Sequence, residues 1–175
     1  MVMTSITLPY ANPQGMFVKS PLASTFAGDL LIATVPDFQD YSTGCLARVS
    51  VSATPVAKCA ITNQALAGFP THMDIDPTGG VLWIADDSYD ASFTAFGTLR
   101  GFDLSTGMLW SAPVSPTAQL VVDVAACPDG QVVVADHTTN AAGLRVYSNT
   151  TERTTAPLAI GLPPTFGNSM ICADK

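Results

Sequence analysis

Four polar residues stand at matching places along this chain. They are Gln14, His72, Asp123 and Asn168, at steps of 58, 51 and 45 positions. Each leads into a mostly apolar stretch, so each marks the point where the chain enters a buried segment. The carboxylate and amide oxygens of Asp123 and Asn168 suit calcium, a hard cation that takes oxygen ligands. A second set, Asp86, Asp87 and Asp90, gathers carboxylates in one loop, with Asp37 and Asp40 in the matching loop upstream. Clustered carboxylates bind calcium too, although no EF-hand spacing is present. Both sets also read as ordinary solvated polarity. Tyr89, Phe93 and Phe96 flank the second set and offer either a contact surface or a cap on a sheet edge.

Other chemistry is missing. There is no G-x-S-x-G elbow and no glycine loop followed by Lys. Two histidines exclude a His-rich metal centre. No catalytic set is complete. Cys45, Cys59, Cys127 and Cys172 form no C-x-x-C pair, which argues against structural zinc. A hairpin centred near Ser52 would set Cys45 opposite Cys59, either as a disulfide in an oxidising compartment or as buried thiols. Asn149-Thr150-Thr151 is a glycosylation sequon.

The elements that position these residues follow from one phrase. Val81-Leu82-Trp83-Ile84-Ala85-Asp86 is apolar at five successive positions, as in a strand covered on both faces. A turn sequence, Asp76-Pro77-Thr78-Gly79-Gly80, precedes it. Leu30-Leu31-Ile32-Ala33-Thr34 and Val132-Val133-Val134-Ala135-Asp136 repeat the phrase, with alanines 52 and 50 residues apart. Cys127-Pro128-Asp129-Gly130 repeats the turn. Arg48, Arg100 and Arg145 recur at one repeated position about a dozen residues after the alanine of the phrase, where they are expected to snorkel over an outer strand. A period near 50 signals one supersecondary unit stacked on copies of itself.

No apolar-periodic stretch reaches helical length, so the class is all-β. The 175 residues suit one domain. Four strands (A to D) per period give units at about 16–61, 73–112 and 120–160. A lone D strand at 5–8 and a lone A strand at 168–172 flank them. Net charge −7 with only seven basic residues gives no patch for nucleic acid or for anionic membranes. No apolar run is long enough to span a bilayer. No signal peptide is visible at the start, and an extracytoplasmic location is weakly favoured.

Four-stranded antiparallel units at this period are the blades of a β-propeller. The stretch from Asp123 to Asp136, followed by Leu144-Arg145-Val146-Tyr147-Ser148, resembles NHL and YVTN repeats. It is also similar to the gluconolactonase (senescence-marker) superfamily. Asp103-Leu104-Ser105-Thr106-Gly107 resembles the outer hairpin of quinoprotein blades. In such a fold Gln14, His72, Asp123 and Asn168 would ring one channel mouth. The gluconolactonase resemblance implies a divalent cation held there by Asp123 and Asn168, with His72 as neighbour or base. Gln14 departs from that family's pattern, being neutral where an acidic ligand is needed. The implied functions are a module binding a protein or small molecule at its loop face, a metal-dependent lactonase, or a structural repeat segment. Three blades do not close a ring, so the chain is expected to be part of a longer propeller or to close it as a homo-oligomer. A β-sandwich is the alternative architecture.

Overall fold

The three apolar phrases each become the second strand of a four-stranded sheet. The computed structural model describes residues 5–10, 12–21, 25–36, 43–52, 54–63, 69–89, 95–113, 121–138, 142–149, 151–160 and 170–172. All regular structure in them is β. The chain divides into two units, Met1–Gly68 and Phe69–Lys175. Unit 1 holds one sheet: β1 (Asn12–Lys19), β2 (Leu30–Val35), β3 (Gly44–Val49) and β4 (Ala57–Asn63), side by side in that order. Unit 2 holds two. The first is β5 (Phe69–Ile75), β6 (Val81–Tyr89), β7 (Ala95–Asp103) and β8 (Leu109–Pro113). The second is β9 (Val121–Ala126), β10 (Gln131–Asp136), β11 (Gly143–Ser148) and β12 (Thr151–Glu152). Every pairing is antiparallel between strands consecutive in sequence. Among the described residues no sheet closes on itself, and no helix is long and apolar enough to cross a membrane.

The turn residues act as their types dictate. In Asp76-Pro77-Thr78-Gly79 the Gly79 N–H donates to the Asp76 carbonyl at 2.7 Å, and Gly79 takes φ +71°. Gly130 repeats this on Cys127 at 3.0 Å, with φ +80°. The Asp76 carboxylate accepts the backbone N–H groups of Thr78 and Val81, which fixes the hairpin from inside.

Burial follows the continuous apolar pattern. Leu82, Trp83, Ile84 and Ala85 are all buried, so β6 is covered on both faces. In unit 2, Trp83, Ala85 and Leu99 of one sheet pack against Val121, Val124, Ala126, Val132, Val134 and Tyr147 of the other. In unit 1 the core is Leu31, Ala33, Val35, Cys45, Leu46, Ala47 and Val49.

The two expected flanking strands have no ladder partner among the described residues. Residues 5–8 carry no strand, and neither do the described residues of 168–172, namely 170–172. A strand needs a ladder partner, and no described strand pairs with either stretch. The fourth strand of the last unit also differs from expectation. Instead of Thr154 to Ile160, β12 covers two residues, and Leu158 forms only an isolated bridge to Leu144.

Gly101 shows how closely the first sheet of unit 2 is packed. A Cβ at that position would lie 2.6 Å from Trp83 Cζ3 and 3.0 Å from Trp110 Cε3. The two indoles stack at 6.4 Å between centroids. Gly101→Ala is therefore expected to lower unfolding stability by about 1–3 kcal/mol through overpacking. A urea midpoint equal to wild type would show that the indole pair yields freely.

Candidate functional site

β5 and β9 are the first strands of their sheets, and they carry the polar residues singled out in the sequence. His72 faces Ala85 across the β5–β6 ladder, and Asp123 faces Ala135 across β9–β10. The two therefore occupy equivalent places, each opposite the alanine that ends its apolar phrase. An irregularity between Pro70 and His72 displaces the ladder just before His72. Such irregularities re-aim side chains.

The structure joins these two residues directly. His72 Nε2 lies 3.2 Å from Asp123 Oδ1. The same oxygen accepts the Val124 N–H at 2.9 Å, while Asp123 Oδ2 accepts the N–H of Met170. The Asp123 side chain is buried, whereas that of His72 is 33 % exposed. Any group arriving from solvent therefore meets the imidazole first. Two positions further along β5, Asp74 makes a second link. Its Oδ2 accepts the Ala126 N–H of β9 at 2.8 Å, and its Oδ1 accepts the Ile75 N–H at 2.8 Å.

Burial raises the pKa of both carboxyls. For Asp74 the desolvation outweighs the N–H groups of Ala126 and Ile75. For Asp123 it outweighs the Met170 N–H and the His72 imidazole. Asp29 behaves oppositely: its hydrogen bond from Arg48 holds it below the ordinary carboxylate value.

The remaining candidates are Gln14, Asn168, Asp86, Asp87 and Asp90, and of these Asp86 alone has a described side chain. Gln14 belongs to β1 in the other unit, in the irregular stretch between Pro13 and Phe17. Its side chain lies outside the described residues, as do Asn168, Asp90 and the side chain of Asp87. Asp86 is buried and forms an ion pair with Arg100. A carboxylate already neutralised by a guanidinium is a poor calcium ligand. Among the described residues no group of three or more His, Cys, Asp or Glu side chains is placed to hold a metal.

The three arginines do not snorkel, and they do not share one position. Leu46, Leu99 and Leu144 each face the alanine of their phrase, Ala33, Ala85 and Ala135. Arg100 and Arg145 follow that leucine directly, but Ala47 intervenes before Arg48. One extra residue in a strand turns the side chain to the other face. Arg100 and Arg145 accordingly pair with Asp86 and Asp136 at the ends of β6 and β10. Arg48 instead pairs with Asp29, just before β2, at 2.5 Å and covers the Phe26 ring at 4.9 Å. Arg145 is the most enclosed of the three. It reaches Asp136 Oδ2 and Glu152 Oε1, both at 2.8 Å, and Asp136 Oδ1 also accepts from the Thr138 hydroxyl and N–H. Burial alone would lower its pKa, but the hydrogen bonds of Asp136 and Glu152 prevail and hold it above the ordinary value.

Two features escaped the sequence. Asp74 sits between Met73 and Ile75, and an acid inside an apolar run was the available signal. The Cys127–Cys172 disulfide, across 45 residues, had none; the Cys45–Cys59 disulfide resolves the alternatives left open for that pair. A cleft of about 220 Å³ lies between the β5–β6 and β9–β10 turns, lined by Asp76, Pro77, Trp83, Cys127, Pro128 and Asn149 among others. It sits at the ends of β5 and β9 away from His72. A scan against protein-family models finds no match to this chain, and a search of curated proteins finds none.

Two expectations follow. Arg145→Ala strands buried Asp136 and should cost about 3–5 kcal/mol. Arg48→Ala, at a partly exposed pair, should cost about 1 kcal/mol. Equal losses in chemical denaturation would contradict the burial difference. For Asp74 the raised folded pKa means the native state binds the extra proton. Its contribution is fully present below the unfolded value of 3.8 and is lost as pH rises through the higher folded value. Asp74→Asn keeps an oxygen acceptor for Ala126 and carries no charge. That variant should lose less stability than wild type on going from pH 4 to neutrality. A parallel pair of pH profiles would refute the assignment.

Proposed function

We propose that this chain is a segment of a β-propeller that serves as a binding module, with no hydrolytic chemistry of its own. Three sheets of four consecutive antiparallel strands suit blades. Within unit 2, β5 and β9 are bridged by the Asp74–Ala126 hydrogen bond and by the His72–Asp123 pair. First strands lying beside each other are what a propeller channel requires. The two disulfides favour an oxidising, extracytoplasmic compartment.

One observation carries the choice of binding over catalysis. Each acidic side chain that the structure describes accepts from at least one donor of the chain itself. Asp29 and Asp86 are taken by arginines, and Asp136 and Glu152 by Arg145. Asp74 and Asp123 are taken by backbone N–H groups of neighbouring segments. Asp76, Asp103 and Asp129 cap turns. A general base or metal ligand needs a carboxylate with free acceptor capacity facing the substrate. The same bonds make a stiff frame on which an exposed group such as His72 is presented. Val133, Leu144 and Val146, on the face of the last sheet turned away from its packed core, stay half-buried. That face suits a further blade, which a second copy would supply in a homo-oligomer.

The test is hydrolysis of a simple aldonolactone by the purified chain, with and without calcium. No rate above buffer is expected in either condition. Calcium-dependent turnover that disappears in Asp123→Asn, with the circular dichroism spectrum retained, would overturn this reading in favour of a metal-dependent lactonase.

A further inference from the structure

We infer that residues 170–172 form a redox-controlled strap over the buried carboxylate of Asp123. The segment has no strand pairing. Among the described residues, two attachments hold it to β9 and the turn that follows. The Met170 N–H donates to Asp123 Oδ2, and Cys172 is disulfide-bonded to Cys127, with 5.1 Å between Cα atoms. The strap thus runs from the His72–Asp123 pair towards the β9–β10 turn. Ile171, between the two attachments, is 86 % exposed, so no apolar packing of its side chain adds to the hold. Cys127 and Cys172 are both partly exposed, so a dithiol reaches the bond from solvent.

The consequence is set by the hydrogen-bond inventory of Asp123. Its Oδ1 is occupied by Val124 and His72, and its Oδ2 by Met170. A single backbone hydrogen bond contributes about 1 kcal/mol net and does not hold a three-residue segment against its chain entropy. The disulfide is what keeps the donor in place. Reduction by a dithiol breaks the Sγ–Sγ bond, places one proton on each sulfur and converts the dithiol to its own disulfide. The strap then leaves, and Oδ2 is left as an open acceptor beside the imidazole of His72. The freed oxygen suits an N–H donor from another molecule, the same chemistry that Met170 supplies from within. The inference goes beyond the binding-module reading and does not depend on it, since the strap is defined by its own two attachments.

Hydrogen exchange followed by mass spectrometry tests it on the full chain. In the oxidised protein the Met170 amide should be protected. With dithiothreitol, and in Cys172→Ser without reductant, its exchange should accelerate roughly tenfold while β9 stays protected. Carbethoxylation of His72 should quicken in the same two samples. Wild type lacking only the other bridge, through paired Cys45→Ser and Cys59→Ser changes, should respond to reductant as wild type does. Unchanged Met170 exchange on reduction overturns the inference. So does loss of protection throughout β9 and β10, which would make the disulfide a general staple of the sheet.

Discussion

A strand buried on both faces has no solvent to hydrate a charge, and β3, β6 and β9 are such strands. Removing an ionised group from water costs several kcal/mol unless a partner replaces the lost hydration. With 12 % charged residues the chain meets that constraint one charge at a time. Asp86 and Asp136 end their apolar runs and meet Arg100 and Arg145 diagonally across the ladder. Asp74 and Asp123 have no arginine. They accept backbone N–H groups from a neighbouring sheet and from the 170–172 segment, and Asp123 also holds His72. The first solution ties strands within a sheet. The second ties one sheet to the next, so the polar residues of β5 and β9 do the joining that apolar packing alone would leave without a fixed register.

The middle strands of all three sheets were legible because burial on both faces leaves an unbroken apolar run, and few other structures do. The turns were legible for a similar reason: Gly79 and Gly130 occupy a backbone conformation that side chains resist. The equivalence of His72 and Asp123 was readable from the turn spacing, and their registers opposite Ala85 and Ala135 agree with it. Arg48 misled for a physical reason. Spacing along the sequence does not reveal strand parity, and Ala47 turns the arginine to the opposite face from Arg100 and Arg145. The outer strand of the last sheet was also misplaced. Its apolar residues Leu158 and Ile160 are about half-exposed, so hydrophobicity there reported no burial. The contact between Asp123 and Met170 joins residues 47 positions apart through a backbone N–H, which has no sequence signature at all.

The outer strands show how three similar sheets reach stability by different means. β4 is fastened to β3 by the Cys45–Cys59 disulfide in addition to its ladder. β8 pairs with β7 over five positions, and Trp110 stacks on Trp83 above Gly101. β12 has two ladder positions and no covalent tie. There the side chains take over the work of the backbone. Glu152 of β12 reaches Arg145 of β11, the Thr154 hydroxyl donates to the same Glu152 oxygen at 2.8 Å, and Leu158 adds its isolated bridge. This explains why Arg145 is the most deeply buried of the three arginines. It holds an outer strand as well as neutralising an inner acid. The depth of its burial is therefore a consequence of the short strand beside it, and the cost of removing it should be read as the cost of losing two attachments at once.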